Sequence, residues 1–218
     1  ENFNTYSKKF YELALSQLLD KRVGKEHKNA WFDFLACVSP YSKDAKILKD
    51  ILLGKKKLSN FELDQDKRWE ILISLAIQND KDLPTLLKKE IKKDKSDLGK
   101  KSAAKVNASM SANKEKFWIL FTEKNNFSLD YLRESMSVFQ NRHQKIALEI
   151  YTNKFFSVIE RLSNKKDIRY MEIFAKLLFP AIQVNEETIK KTQEFLNSKP
   201  KLPKNIHRDI VENLDNLI

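Results

Sequence analysis

The sequence predicts an all-α fold, an α-solenoid or superhelical array of antiparallel helix pairs of the HEAT or armadillo kind. Three observations predict it. Apolar residues recur at spacings of three and four along most of the chain. Only three glycines and five prolines punctuate 218 residues, too few for the tight turns of a β-rich domain this size. The segments between periodic stretches are short, as in stacked helical hairpins. No sharp repeat is present, so the expected repeats are degenerate in sequence. No linker is long or biased enough to mark a boundary, and residues 1–218 read as a single domain.

The elements follow in order. A first helix is expected over Tyr6–Asp20, with Phe10, Leu13, Ala14 and Leu18 on one side. Glu26–Val38 carries Ala30, Trp31, Phe34, Leu35 and Val38. Lys43–Leu53 carries Ile47, Leu48, Ile51 and Leu52, and runs into a Gly54-Lys-Lys-Lys-Leu-Ser-Asn60 turn. Asp64–Gln78 is apolar on nearly all faces, from Trp69 and Ile71 through Ile77, which predicts a helix buried between others. Leu83–Lys93 has Pro84 where a first turn tolerates it. Ser96–Met110 is rich in small residues that let helices approach closely.

Ser111–Thr122 carries Phe117, Trp118, Leu120 and Phe121, and Ser128–Phe139 carries Leu129, Leu132, Met136 and Phe139. His143–Leu162 is the longest predicted helix, with Ile146, Ile150, Phe155, Val158, Ile159 and Leu162 in register. Asp167–Phe179 stops at Pro180, which cannot continue a helix. Asn185 is the expected N-cap of a helix to Asn197. A final helix, Pro203–Leu217, follows a connector from Lys199. The total is about a dozen helices.

The net charge of +11 rests on lysine: seven of the 41 basic residues are arginine. Phosphate and base recognition favour the planar arginine fork, so the composition argues against a nucleic-acid role and for solvated lysine surfaces. Cys37 is the single cysteine, which excludes an internal disulfide or a thiolate metal cluster. No signal peptide or apolar run of bilayer length is present, and the chain reads as cytoplasmic, without a membrane partner. It opens on Glu1-Asn2-Phe3 without methionine, from which we expect a piece of a longer protein.

Catalytic constellations are lacking. The three histidines, His27, His143 and His207, have Trp31, Ala147 and Val211 four residues on, so none forms the pair of a zinc hydrolase helix. Cys37 ends an apolar run and reads as a buried structural thiol. Gly24, Gly54 and Gly99 are isolated, so no phosphate loop exists. Asp64/Asp66 and Glu186/Glu187 sit at helix N-terminal ends, where the macrodipole accounts for them. We therefore assign no catalytic and no metal residue; chemistry by His143 or Cys37 ranks last among the readings.

Several segments have an order that carries more information than any one alone. They are His27-Lys-Asn-Ala-Trp31, Asp64-Gln-Asp-Lys-Arg-Trp-Glu-Ile-Leu72, and Asp94-Lys-Ser-Asp-Leu-Gly99 with Ser102-Ala-Ala-Lys-Val106. Then come Phe139-Gln140, Tyr151, Phe155-Phe156, Leu178-Phe-Pro180 and Val184-Asn-Glu-Glu-Thr188. Together they resemble the C-terminal helical domain of the bacterial aminopeptidase N family, over about residues 25–218.

That resemblance implies a zinc metallo-aminopeptidase as the parent protein, with its HExxH helix and zinc in an N-terminal catalytic domain. This chain would then hold no cofactor and be inactive alone. Its partners would be that catalytic domain and peptide substrates. In the family the C-terminal domain is a bowl of helices that gates the active-site chamber and excludes water. Inward-facing basic residues would attract a peptide's terminal carboxylate. Arg68 is the first substrate-binding candidate, with an ion pair to Asp64 or Asp66 as the stronger alternative. Gln140 and Arg142 are the others, with loop capping as theirs. Trp31, Trp69 and Trp118 are expected in the core. The alternative function is a stand-alone basic helical scaffold that binds protein or RNA.

Overall fold

The computed structural model describes residues 2–42, 46–123, 126–198 and 200–218, with side chains from residue 5 onward. Among these, every regular element is helical: thirteen α-helices and two single 3-10 turns. The all-α prediction holds. No helix among the described residues is long and apolar enough to cross a membrane. The chain forms two compact units, Glu1–Val106 and Asn107–Ile218, whose boundary falls inside a helix rather than in a linker.

The first unit contains α1 (Asn2–Leu19), α2 (Lys25–Ser42), α3 (Lys46–Leu52), α4 (Gln65–Ile77), α5 (Leu83–Lys93) and the start of α6 (Asp97–Ser109). The expected first turn of α3, residues 43–45, lies outside the described residues. α1 and α2 pair as a hairpin, and α2, α3 and α5 all pack on α4. That role fits the apolar circumference of α4: Trp69 and every residue from Ile71 to Ile77 are buried. Asp64 caps it by accepting the Lys67 backbone N–H at 2.9 Å. After α3 the chain turns at Gly54, whose φ of +73° suits glycine and few other residues.

Lys28 is fully buried at the α1–α2 turn, where its Nζ donates to the Leu18 carbonyl at 2.8 Å. It thus satisfies a C-terminal carbonyl of α1 with a cation, the charge that end of a helix favours.

The second unit contains the end of α6, then α7 (Lys114–Thr122), α8 (Leu129–Ser137), α9 (Lys145–Leu148), α10 (Ile150–Ser163), α11 (Ile168–Leu178), α12 (Glu186–Asn197) and α13 (Lys204–Asp215). α11 is central, packing against α8, α10 and α13, while α12 packs on α10 and α13. The core is aromatic. Trp118 lies 5.2 Å from Tyr151 and 6.0 Å from Phe174, and Phe155 stacks on Phe174 at 5.8 Å. Ser128, Asp167 and Asn185 cap α8, α11 and α12, each accepting a backbone N–H three residues on.

Five expectations are corrected. His143–Leu162 is not one uninterrupted helix: a 3-10 turn, Arg142–Gln144, leads into α9, and the ladder tightens again at Glu149. Glu149 keeps helical dihedrals (φ −57°, ψ −42°), so the path continues into α10 while its hydrogen bonds reach three residues back. Ile146 and Ile150 are 90% and 57% exposed rather than core. Cys37 is exposed, on the same outer face of α2 as Asp33 one turn earlier. Trp31 is half-buried against Phe34, whereas Trp69 and Trp118 are core residues as expected. In α1 the buried stripe is Ser7, Tyr11, Ala14 and Leu18, and Phe10 and Leu13 are largely exposed.

Candidate functional site

The first unit has an open cleft of about 330 Å³ between the end of α3, the loop of residues 54–63 and the start of α4. Its apolar lining is Ile51, Leu52, Leu58, Phe61 and Leu63. Phe61 is held in place by Phe32 of α2, the ring centroids 5.1 Å apart. Lys56 and Lys57 stand at its rim, exposed and without an ion pair among the described residues. Arg68 completes the lining.

Arg68 is engaged with Glu90, not with the aspartates of its own helix start. Its Nε donates to Oε1 at 2.7 Å and its Nη2 to Oε2 at 2.6 Å, a two-point fork between α4 and α5. A longer contact of 3.4 Å joins Nη1 to the Leu52 carbonyl. Asp64 instead pairs with Lys67. Glu90 is only 3% exposed. Burial pushes its carboxyl up, but hydrogen bonds from Arg68 and Gln65 and the charge of Arg68 outweigh that and hold it below the ordinary range. The cation–carboxylate pair is therefore closed on itself, and the lysines are the cations that a ligand in the cleft would meet.

Gln140 and Arg142 belong to the second unit. The Gln140 amide donates to the carbonyls of Leu178 and Phe179, at 2.8 and 2.6 Å. It so satisfies the end of α11 just before Pro180, which fits the capping alternative. Arg142 is exposed in the 3-10 turn and makes no ion pair among the described residues. Beside them lies a cation that sequence reasoning missed. Lys114 is 3% exposed, its Nζ donating to the carbonyls of Ala108 and Phe139 at 2.8 and 2.6 Å and resting 4.9 Å from the centre of the Phe139 ring. Burial pushes it down to about 7. Nothing in a lone lysine at a helix start signals this. Lys56 and Lys57 were visible as a basic run, but only the fold sets them beside an apolar wall.

No group of three or more His, Cys, Asp or Glu side chains among the described residues is arranged to hold a metal. His27 is exposed on α2, and His143 and His207 are half-buried in the second unit.

No family model matches the chain. The chain is similar to the aminopeptidase N of Streptomyces lividans, with 23% identity over 189 residues, or 86% of this chain and 22% of that protein. It thus spans about a fifth of the length of the curated relative it matches. A match of that extent is compatible with an accessory, C-terminal part of an aminopeptidase.

Proposed function

We propose that this chain is a single C-terminal helical domain of a cytoplasmic zinc aminopeptidase, which encloses peptide substrates, gates their access to the active-site chamber and contacts their tails. The observation that carries this reading is the similarity to aminopeptidase N across 86% of this chain but only 22% of the relative. The catalytic domain of the same polypeptide is its partner, and zinc and hydrolysis belong to that domain. The cleft beside Arg68 supplies a contact for the peptide tail. Its apolar lining suits a terminal side chain, and Lys56 and Lys57 complement a free carboxylate. Arg68, locked to Glu90, fixes the cleft wall.

An assay of aminoacyl-dye hydrolysis tests the division of labour: the chain alone should release no dye with or without added zinc, and robust release would overturn the reading. Binding of a peptide with a free C-terminus tests the contact. It should weaken about tenfold when the terminus is amidated or in Lys56→Glu/Lys57→Glu. Steep salt-dependent binding of RNA at the same lysines would favour a basic scaffold instead.

A further inference from the structure

We propose that a second pocket, in the second unit between the starts of α10 and α12, binds a primary ammonium group, specifically the side chain of a lysine carried by a peptide. The pocket has a volume of about 100 Å³ and is lined by Glu149, Thr152, Asn153, Gln183, Glu187 and Lys191, among others. Three features define the ligand.

First, Thr152 is 5% exposed, and its hydroxyl has no hydrogen-bond partner among the described residues. A buried hydroxyl left unpaired is unfavourable, and an incoming donor relieves it. Second, Gln183 is 2% exposed and turns its Nε2 away, donating to the Lys145 carbonyl at 2.7 Å. Its amide oxygen is the end left to accept. Third, Glu187 is paired with Lys191, whereas Glu149 is exposed and makes no ion pair among the described residues. Two carboxylates against one ammonium leave the pocket one negative charge.

Oxygen acceptors around a single negative charge match an ammonium, which has three donors and one positive charge. The volume equals roughly three waters at about 30 Å³ each, enough for the ammonium and the methylenes next to it. An anion is disfavoured although the N-terminus of α12 is close, because Glu186 and Glu187 already occupy its first turn. A divalent metal would find two carboxylates, one of them neutralised by Lys191. Ile150 lines the pocket, Val184 lies between the lining residues Gln183 and Asn185, and Ile146 is one turn before Ile150. All three are strongly exposed, so the surroundings offer apolar contact to the chain that carries the lysine. That the carrier is a peptide rests on the proposed function; the ammonium site itself does not.

Amide NMR titrations of the full chain at constant ionic strength test this. The probes are butylammonium chloride, a capped Ala-Ala-Lys-Ala peptide, its Nε-acetyl-lysine counterpart, and calcium chloride. Butylammonium and the lysine peptide should shift the amides of Thr152, Gln183 and Thr188, and the acetylated peptide should not. Glu149→Gln, at an exposed position that leaves the fold unperturbed, should weaken both about tenfold. Thr152→Val should weaken them several-fold, and Thr152→Ser should restore binding. No shift at these amides with either ammonium, equal affinity in Glu149→Gln, or a response to calcium alone would overturn the site. Shifts with butylammonium but none with the lysine peptide would keep the ammonium site and overturn its peptide carrier.

Discussion

The indole N–H of Trp69 donates to Oδ2 of Asp94 at 2.9 Å, tying α4 to the turn between α5 and α6. The other oxygen of that carboxylate accepts from the Ser96 hydroxyl at 2.6 Å and from its backbone N–H at 3.1 Å. The Ser96 hydroxyl and then the Trp69 indole hold the Asp94 carboxyl below its ordinary range. Gly99 closes the arrangement, because a Cβ there would lie 2.4 Å from Asp94 Cγ. Two segments that stand 25 residues apart in sequence are thus joined at one carboxylate.

Substituting Gly99→Ala should therefore destabilise the protein by about 1–2 kcal/mol, although alanine is the better helix former by about 1 kcal/mol. The methyl group displaces Asp94 from both partners. In an Asp94→Ala background the clash is gone, and the same substitution should become neutral or stabilising. A double-mutant cycle by urea denaturation measures this coupling. Additive effects at Gly99 and Asp94 would show that the carboxylate does not mediate between them.

Arg68→Ala should be among the most damaging single changes in the first unit, at about 3–5 kcal/mol at neutral pH, because it leaves the buried Glu90 carboxylate without its partner. Arg68→Lys should recover only part, since an ammonium cannot make the two-point fork. The pH dependence has a defined sign. In the native protein Glu90 is held below its ordinary range, so its contribution is present above that range and lost as pH falls through the folded value. Without Arg68, only the Gln65 hydrogen bond and the charge of Lys93 still oppose burial, so the Glu90 carboxyl rises and the variant's penalty shrinks on acidification. The gap between the two proteins should narrow from pH 7 to pH 4, as read by denaturation midpoints.

Helix positions were legible in the sequence because apolar spacing and capping residues act locally. Asn185, Pro84 and Pro180 mark helix ends as expected, and the apolar run of α4 told of its central place. Which face is buried was less legible. In α1, Tyr6, Phe10 and Leu13 form one apolar stripe, and Tyr11, Ala14 and Leu18 form another, at nearly the same period. Periodicity cannot rank them; packing against α2 selects the second. Ile146 and Ile150 share a face with each other, but they stand nine and five residues before the core residue Phe155, about 180° and 140° round the helix, so both point outward. The candidate residues fared likewise. Arg68 was placed near its own aspartates, while its partner Glu90 sits 22 residues on, a contact that only the pairing of α4 with α5 creates.

Lys114→Met should show a pH trend of the same sign as the Arg68 variant, in a more alkaline window. Desolvation lowers this lysine to about 7, while its unfolded counterpart titrates near 10.5. Between those values the unfolded chain binds more protons than the folded one, so native stability rises with pH across that window, by at most about 1.4 kcal/mol per pH unit. Methionine does not titrate. The loss caused by the substitution should therefore grow from pH 6 to pH 9.5 in denaturant titrations. A constant difference would mean that the two carbonyls and the Phe139 ring hold the ammonium charged throughout.

Gln140 offers the sharpest separation between a structural and a substrate-binding role. Its amide N–H groups answer two carbonyls at the end of α11, where Pro180 follows and no further helical donor arrives. Gln140→Leu preserves volume but leaves the Leu178 carbonyl without the amide donor and the Phe179 carbonyl with the Ala181 backbone N–H alone, at a loss of about 1–3 kcal/mol. Gln140→Glu should be worse at neutral pH, since a carboxylate faces the same oxygens, and should improve on acidification as it gains a proton to donate. A residue that met peptide instead would leave thermal stability unchanged in both variants and alter only peptide affinity. The hydrogen-bond geometry predicts the first pattern: a lowered Tm for Gln140→Leu at every pH, and for Gln140→Glu a deficit that shrinks between pH 7 and pH 4.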